Sequence, residues 1–220
     1  METILQDKLS KVLFHGTLMD RANNIIENGV DFSKFNSRAD FAKGFYLTDS
    51  YALAKRTALS RHSQELMKHK NVSSPVIMKF SVQINKFDKE LSIKEFIGET
   101  LEWKKFVCTN RWYKKVLEYN PAFDNNIDSK YDIVIGLTAD GKLANINKLI
   151  KEDKYNLSEE FLKNINPLLS EYSTFSNGRK KMHKTKSYQI SFHNEEFVKQ
   201  CLIYKDYDII RDEKEGEHYE

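Results

Sequence analysis

The chain has 220 residues, 40% of them apolar, with 35 Lys and Arg against 32 Asp and Glu. That length suits a single domain with a real core, and a formal net charge of only +3 is too even to mark a nucleic-acid binder from charge alone. Two distant cysteines, Cys108 and Cys201, exclude a disulfide framework and a zinc site, and no stretch approaches the ~18 apolar residues of a membrane span.

The cysteines read as buried thiols in a reducing compartment. Met1 to Leu13 carries Glu2 and Asp7 and no apolar run, so it does not read as a secretory signal. A cytoplasmic location is expected, with specialised secretion left open. The abundance of Lys, Asn and Ile points to an AT-rich genome, bacterial or viral.

In chain order, Val12-Leu13-Phe14 reads as a buried strand that stops in a turn at His15-Gly16-Thr17. Asp20 can cap a helix running through Glu27, with Asn28-Gly29 closing it. Asp31 to Ala42 is polar and loop-like. Phe45-Tyr46-Leu47 is a second short strand, and Thr48 or Asp49 starts a long helix to about His69. From Val76 the period becomes two: Val76, Met78, Phe80, Val82 and Ile84 form a core face against Ile77, Lys79, Ser81 and Gln83.

Glu99 to Tyr119 reads as a helix carrying Trp103, Phe106, Val107 and Val116, and Tyr131 to Gly136 as a buried strand. Ser158 is placed to cap a helix to about Glu171. Ser176 to Lys186 reads as a basic loop, followed by a strand at Gln189 to Phe192. Asn194 then caps a short helix, Glu195 to Lys199, and Leu202 to Ile210 forms the last strand. The interleaving lacks a βαβ rhythm, which predicts an α+β fold. One domain over residues 1–210 is expected, with an acidic, frayed tail at 211–220.

Several chemistries find no support. The chain lacks Gly-x-Gly-x-x-Gly, the phosphate-loop Gly-x-x-x-x-Gly-Lys, Gly-x-Ser-x-Gly and His-Glu-x-x-His, and no metal is expected. His62 and His69 share a helix face too far apart to chelate one ion. Two segments do carry chemistry: Leu13-Phe14-His15-Gly16-Thr17 and Asp40-Phe41-Ala42-Lys43-Gly44-Phe45-Tyr46-Leu47-Thr48. Each sets a functional side chain beside a strand and a glycine, which lets a ligand approach the backbone. A histidine there can hydrogen-bond a ribose hydroxyl, and a tyrosine can stack on a flat heteroaromatic ring. Taken singly, His15 reads as a satisfied structural histidine and Tyr46 as core.

Together and in this order, His15-Gly16-Thr17 and Lys43 to Thr48 resemble the ADP-ribosyltransferase superfamily, on its diphtheria-toxin and poly(ADP-ribose) polymerase side. The likeness is nearest to a bacterial branch with the signature Asp-Phe-Gly-Lys-Gly-Phe-Tyr-x-Thr. That branch has a helix with Trp, Phe, Val and Asn-Arg, met here by Trp103, Phe106, Val107, Asn110 and Arg111. It also has a Tyr-Asp-Ile-Val-x-Gly strand, here Tyr131 to Gly136 with Ala139-Asp140, and a late Gln-x-x-Phe strand, here Gln189 to Phe192. The match runs from about His15 to Tyr204.

The resemblance implies a split β-sandwich with flanking helices and NAD⁺ as substrate. It implies a catalytic triad of His15, Tyr46 and Gln189, where the wider superfamily has glutamate in the third place. His15 would hold the adenosine ribose, Gly16 would present backbone groups to the nicotinamide amide, and Tyr46 would stack on the nicotinamide ring. Thr17 and Gly44 complete the cofactor-binding set. Arg111 would either reach a phosphate of NAD⁺ or serve the structure. Ala42 stands where the branch has glycine.

Glutamine keeps a hydrogen bond to the 2′-hydroxyl but has no charge to stabilise an oxocarbenium-like ion. Gln189 therefore either suffices for a reactive nucleophile, or yields its role to Glu195, Glu196 or Asp40, or marks a site that binds without turnover. The segment before the third motif faces the acceptor in this superfamily. Here Arg179 to Lys186 holds five Lys and Arg in eight residues, namely Arg179, Lys180, Lys181, Lys184 and Lys186. Such a run suits a phosphate backbone or an acidic protein surface, so the macromolecular acceptor is protein or nucleic acid, undecided. Ser187 stands where arginine-modifying members carry Gln or Glu.

By analogy the chain is a bacterial toxin, effector or anti-phage enzyme with an antitoxin or immunity partner. Two rivals stay open. One is a catalytically inactive module that binds NAD or ADP-ribose, and the other is a nucleic-acid-binding domain without NAD chemistry. An RNA 2′-phosphotransferase would need further His and Arg motifs.

Overall fold

The strand that begins at Leu13 does not stop at His15. The computed structural model describes residues 9, 11–36, 38–69, 71–119, 122–139, 159–164, 170–174, 180–184 and 187–211. Strand β1 spans Leu13–Leu18, with His15, Gly16 and Thr17 in its interior rather than in a turn. Helix α1, Met19–Asn28, follows at once. Its N-cap position is Leu18, not Asp20, and the Asp20 carboxylate instead accepts from the Ser73 hydroxyl at 2.5 Å. Gly29 ends the helix at φ 79°, the left-handed conformation that favours glycine.

Strand β2 is Phe45–Thr48. Helix α2 is Tyr51–Leu66, capped by Ser50, whose hydroxyl accepts from the Leu53 amide at 3.2 Å. Strand β3, Pro75–Val82, departs from strict alternation: Val76, Ile77 and Met78 are all fully buried, as in a strand covered on both faces. Val82 is only half-buried and Ile84 is exposed in a short 3-10 turn.

Strand β4, Ile93–Glu95, precedes helix α3, Leu101–Tyr119, whose backbone breaks at Trp112. Strand β5 is Ile133–Leu137, fully buried. Helix α4 is Glu159–Asn164, so Glu171 lies beyond it, in strand β6, Ser170–Thr174. Ser158, the expected cap, lies outside the described residues.

The segment read as a basic loop holds strand β7, Lys180–Lys184. It pairs antiparallel with β6, Ser173 opposite Lys181 and Glu171 opposite His183. Backbone pairing in a two-stranded ribbon needs no apolar side chains, so charge alone does not exclude a strand there. Arg179, Lys186 and the acidic tail from residue 212 on lie outside the described residues. Strand β8, Tyr188–Phe192, helix α5, Glu195–Cys201, and strand β9, Leu202–Ile209, complete the order.

These elements form two compact units, and the architecture is mixed α+β. The first comprises Met1–Asp31, Tyr46–Lys89 and Glu195–Glu220. Its strands run β2-β1-β3-β9, all antiparallel, with Phe14 opposite Thr48 and His15 opposite Met78. Leu13, Leu47, Ile77, Met78, Phe80 and Phe197 supply its large buried side chains. The second comprises Phe32–Phe45 and Glu90–Asn194. In it β4 runs parallel to β5, which pairs antiparallel with β8. Its core is aromatic: Phe41, Phe96 and Phe106 form a mutual ring cluster, and the side chains of Phe41 and Trp103 close over Gly136.

Both cysteines are buried and free, and burial pushes the Cys108 thiol up to about 12. No helix among the described residues is long and apolar enough to cross a membrane.

Candidate functional site

The residues singled out in the sequence divide between the two units. His15, Gly16, Thr17 and Tyr46 stand in the first; Gly44, Arg111 and Gln189 stand in the second, with β7 and its Lys180, Lys181 and Lys184.

In the first unit, adjacent strands β1 and β2 bring His15 to Tyr46. The imidazole Nδ1 lies 2.8 Å from the Tyr46 carbonyl oxygen. A carbonyl only accepts, so Nδ1 carries the proton and the Nε2 lone pair is an acceptor. Burial, reinforced by the charge of Arg61 and opposed by the bond to Tyr46, lowers the imidazole pKa to about 3. His15 is therefore neutral in one defined tautomer across the physiological range. Tyr46 is only half-buried, unlike its strand neighbours Phe45 and Leu47.

Gly16 has a packing role that its sequence context did not reveal. A Cβ at this position would lie 1.9 Å from the Ala54 carbonyl oxygen and 2.9 Å from the Ala58 amide nitrogen, both backbone atoms of α2. The glycine and the two alanines thus let helix and strand approach closely. Thr17 is buried, and its hydroxyl is 3.5 Å from a guanidinium nitrogen of Arg61 on α2.

In the second unit, the centre is Asp40. Its Oδ1 accepts from Arg111 Nε at 2.6 Å, and a second nitrogen of Arg111 completes the ion pair. Its Oδ2 accepts from the Ala139 amide at 2.9 Å and from the side-chain amide of Gln189 at 2.5 Å. Arg111 also donates to the Ala139 carbonyl at 2.6 Å. Arg111, a candidate for a phosphate of NAD⁺, thus makes its described contacts with the protein. Asn110 adds a bond from its side chain to the Asp40 carbonyl at 3.2 Å.

A carboxylate cannot donate, so Gln189 must present Nε2 to Asp40, which fixes the orientation of its planar amide and of Oε1 as an acceptor. Of the carboxylates considered as stand-ins for glutamate, Asp40 touches Gln189, but Arg111 neutralises it. Glu195 and Glu196 are exposed and pair with Lys199 at 2.7 Å and Lys89 at 2.5 Å.

Ala42, where the likeness has glycine, adopts φ 68° and is buried. An L-residue held there is strained by about 1–2 kcal/mol. Gly44 admits a neighbour, since a Cβ would lie 2.8 Å from the His193 ring. His193 Nδ1 is 2.8 Å from the Lys43 carbonyl oxygen and Nε2 is 2.8 Å from the Ser191 hydroxyl. It thereby pins Lys43-Gly44 to the end of β8. The Ser191–His193 pair has the connectivity of a nucleophile and base, but Ser191 is fully buried, so the pair is structural. Burial lowers the His193 pKa to about 4.

Sequence reasoning missed Asp40 as the anchor of Gln189, missed His193, and missed Arg61. Asp40 and Gln189 are 149 residues apart, and no local pattern links them. Arg61 lies among Lys55, Arg56 and His62 on one helix, a run that reads as a solvated face.

A family model described as "Protein of unknown function (DUF3990)" matches residues 12–204. Neither the curated proteins nor the solved structures give a match.

Proposed function

We propose that this chain, which belongs to the DUF3990 family, is an NAD-dependent ADP-ribosyltransferase acting on a protein or nucleic acid. The fold behind this reading is the split β-sandwich of that superfamily. The observation that carries it is the bond between His15 Nδ1 and the Tyr46 carbonyl at 2.8 Å. It supports the reading because it holds a neutral histidine, an acceptor at Nε2, beside a half-buried tyrosine on the adjacent strand. A ribose hydroxyl would donate to Nε2, and the nicotinamide ring would stack on Tyr46.

In the reaction, the bond from ribose C1′ to the nicotinamide nitrogen breaks and its electron pair leaves with nicotinamide. A nucleophile on the acceptor forms the new bond to C1′ and releases its proton to solvent. Gln189 Oε1, oriented by Asp40, would accept from the 2′-hydroxyl as the cation develops. Lys180, Lys181 and Lys184 on β7 would draw in an acidic acceptor.

One observation favours a second reading, a module that binds NAD or ADP-ribose without turnover. The amide of Gln189 is uncharged and the carboxylate beside it is neutralised by Arg111, so no net negative charge is offered to an oxocarbenium ion. The deciding experiment incubates purified protein with labelled NAD⁺ and cell lysate, with and without nuclease, beside His15→Ala and Tyr46→Ala. Transfer that both variants lose supports the enzyme and identifies its acceptor class. Calorimetric binding without transfer selects the inactive module. Neither binding nor transfer sinks both.

A further inference from the structure

Among the described residues, Arg61 is a guanidinium without a counter-ion. It is half-buried on α2, and its one hydrogen-bond contact among the described residues is the Thr17 hydroxyl at 3.5 Å, the outer limit for such a bond. The acid one turn along the helix does not serve it: Glu65 pairs with Arg21 at 2.9 Å and lies 3.8 Å from both Lys68 and His69. Burial and the charge of Arg21 both pull the Arg61 pKa downward, so the environment as it stands works against the cation. Buried charges in folded proteins are ordinarily paired. A planar fork of donors that no described carboxylate meets matches the oxygens of a phosphate, which it engages in bidentate fashion.

The surroundings narrow the ligand. His15 and Thr17 stand two residues apart on one face of β1, and the defined tautomer of His15 makes Nε2 an acceptor for a hydroxyl. Thr17 adds a hydroxyl beside the guanidinium. A hydroxyl acceptor and a phosphate-binding cation within one unit suit a sugar phosphate. We infer that Arg61, beside the Thr17 hydroxyl, binds a phosphate of a nucleotide whose ribose is held by His15. This assignment rests on the role given to His15 above, but it does not require that the nucleotide be turned over.

The test titrates the full chain by calorimetry with ADP-ribose, ADP, adenosine, inorganic pyrophosphate and a single-stranded oligonucleotide, beside Arg61→Gln and Arg61→Lys. ADP-ribose and ADP are expected to bind at least tenfold more tightly than adenosine. Arg61→Gln should weaken both by about ten- to a hundredfold and leave adenosine unchanged. Arg61→Lys, which keeps the charge but not the fork, should fall between. Without ligand, Arg61→Gln should melt no lower than the parent, because it removes an uncompensated charge.

ADP-ribose binding should also shift the His15 ring resonances. A variant that melts several degrees lower yet binds ADP-ribose normally would make Arg61 a structural residue and overturn the assignment, as would equal affinity for adenosine and ADP. Binding of the oligonucleotide but not of ADP-ribose would transfer the site to a nucleic-acid backbone. Binding of ADP-ribose without NAD⁺ turnover would sink the transferase and leave the phosphate site standing.

Discussion

Gln189 donates its side-chain amide to Asp40 at 2.5 Å, and the same carboxylate is held by Arg111 and by the Ala139 amide. This relationship favours an amide over a carboxylate at position 189. With Asp40 held in its pair with Arg111, a second carboxylate at position 189 would face it across a hydrogen bond's length.

Gln189→Glu is therefore expected to destabilise the protein by about 1–3 kcal/mol at neutral pH, through a lost donor and like-charge repulsion. Adding Asp40→Asn should rescue the variant at neutral pH. Urea denaturation of the parent, the single variant and the double variant at neutral pH checks this. A Gln189→Glu protein as stable as the parent at neutral pH would show that the two side chains separate freely.

Ala42 supplies a second test. At an ordinary buried site, Ala→Gly costs about 1 kcal/mol through lost burial and added chain entropy. At φ 68° the gain from relieving left-handed strain is of similar size. Ala42→Gly should therefore be neutral within about 0.5 kcal/mol, or slightly stabilising, while Ala42→Val should cost about 2 kcal/mol or more. Thermal denaturation of the pair separates strain from ordinary packing.

Much of the secondary structure was legible because apolar periodicity and end signals coincide. Strands β2, β5, β8 and β9, helices α2 and α3, and the glycine stop at Gly29 all lie where the pattern puts them, to within a few residues. The failures share a cause: polar residues suggest a loop even where the backbone pairs as a strand. His15-Gly16-Thr17 looked like a turn because glycine and two polar residues interrupt an apolar run, but Gly16 is a packing contact for α2. The lysines of β7 looked like a loop because they are charged, although a strand is defined by its backbone pairing. The polar contacts to His15, Asp40 and His193 were illegible because each is made by residues distant in sequence, and periodicity reports burial without naming partners.

Gly16→Ala should be severely destabilising. The added Cβ would sit 1.9 Å from a backbone oxygen of α2, and no side-chain rotation can relieve that. The helix must move off the strand, at a cost of about 3 kcal/mol or more. Gly44→Ala meets the His193 ring at 2.8 Å and the Phe192 carbonyl at 2.9 Å, and should cost about 1–3 kcal/mol. The more severe loss belongs to Gly16, since its obstacle is helix backbone. Circular dichroism melts give the ranking, and the reverse order would mean that α2 shifts more readily than His193.

Stability should fall as the solution is acidified below neutrality, and the two buried histidines set the window. His15 titrates at about 3 and His193 at about 4 in the folded chain, both lowered chiefly by burial; the unfolded value is about 6.5. Between the folded and unfolded values the unfolded chain binds more protons, so stability rises with pH there. The contribution is fully present above about pH 6.5 and is lost as pH falls toward the folded values. From pH 7 to pH 5 each histidine should account for about 2 kcal/mol. Denaturation of the parent beside His193→Gln measures this at one site, since the variant should lose less stability on acidification. Equal pH dependence in parent and variant would mean that His193 takes up its proton without unfolding.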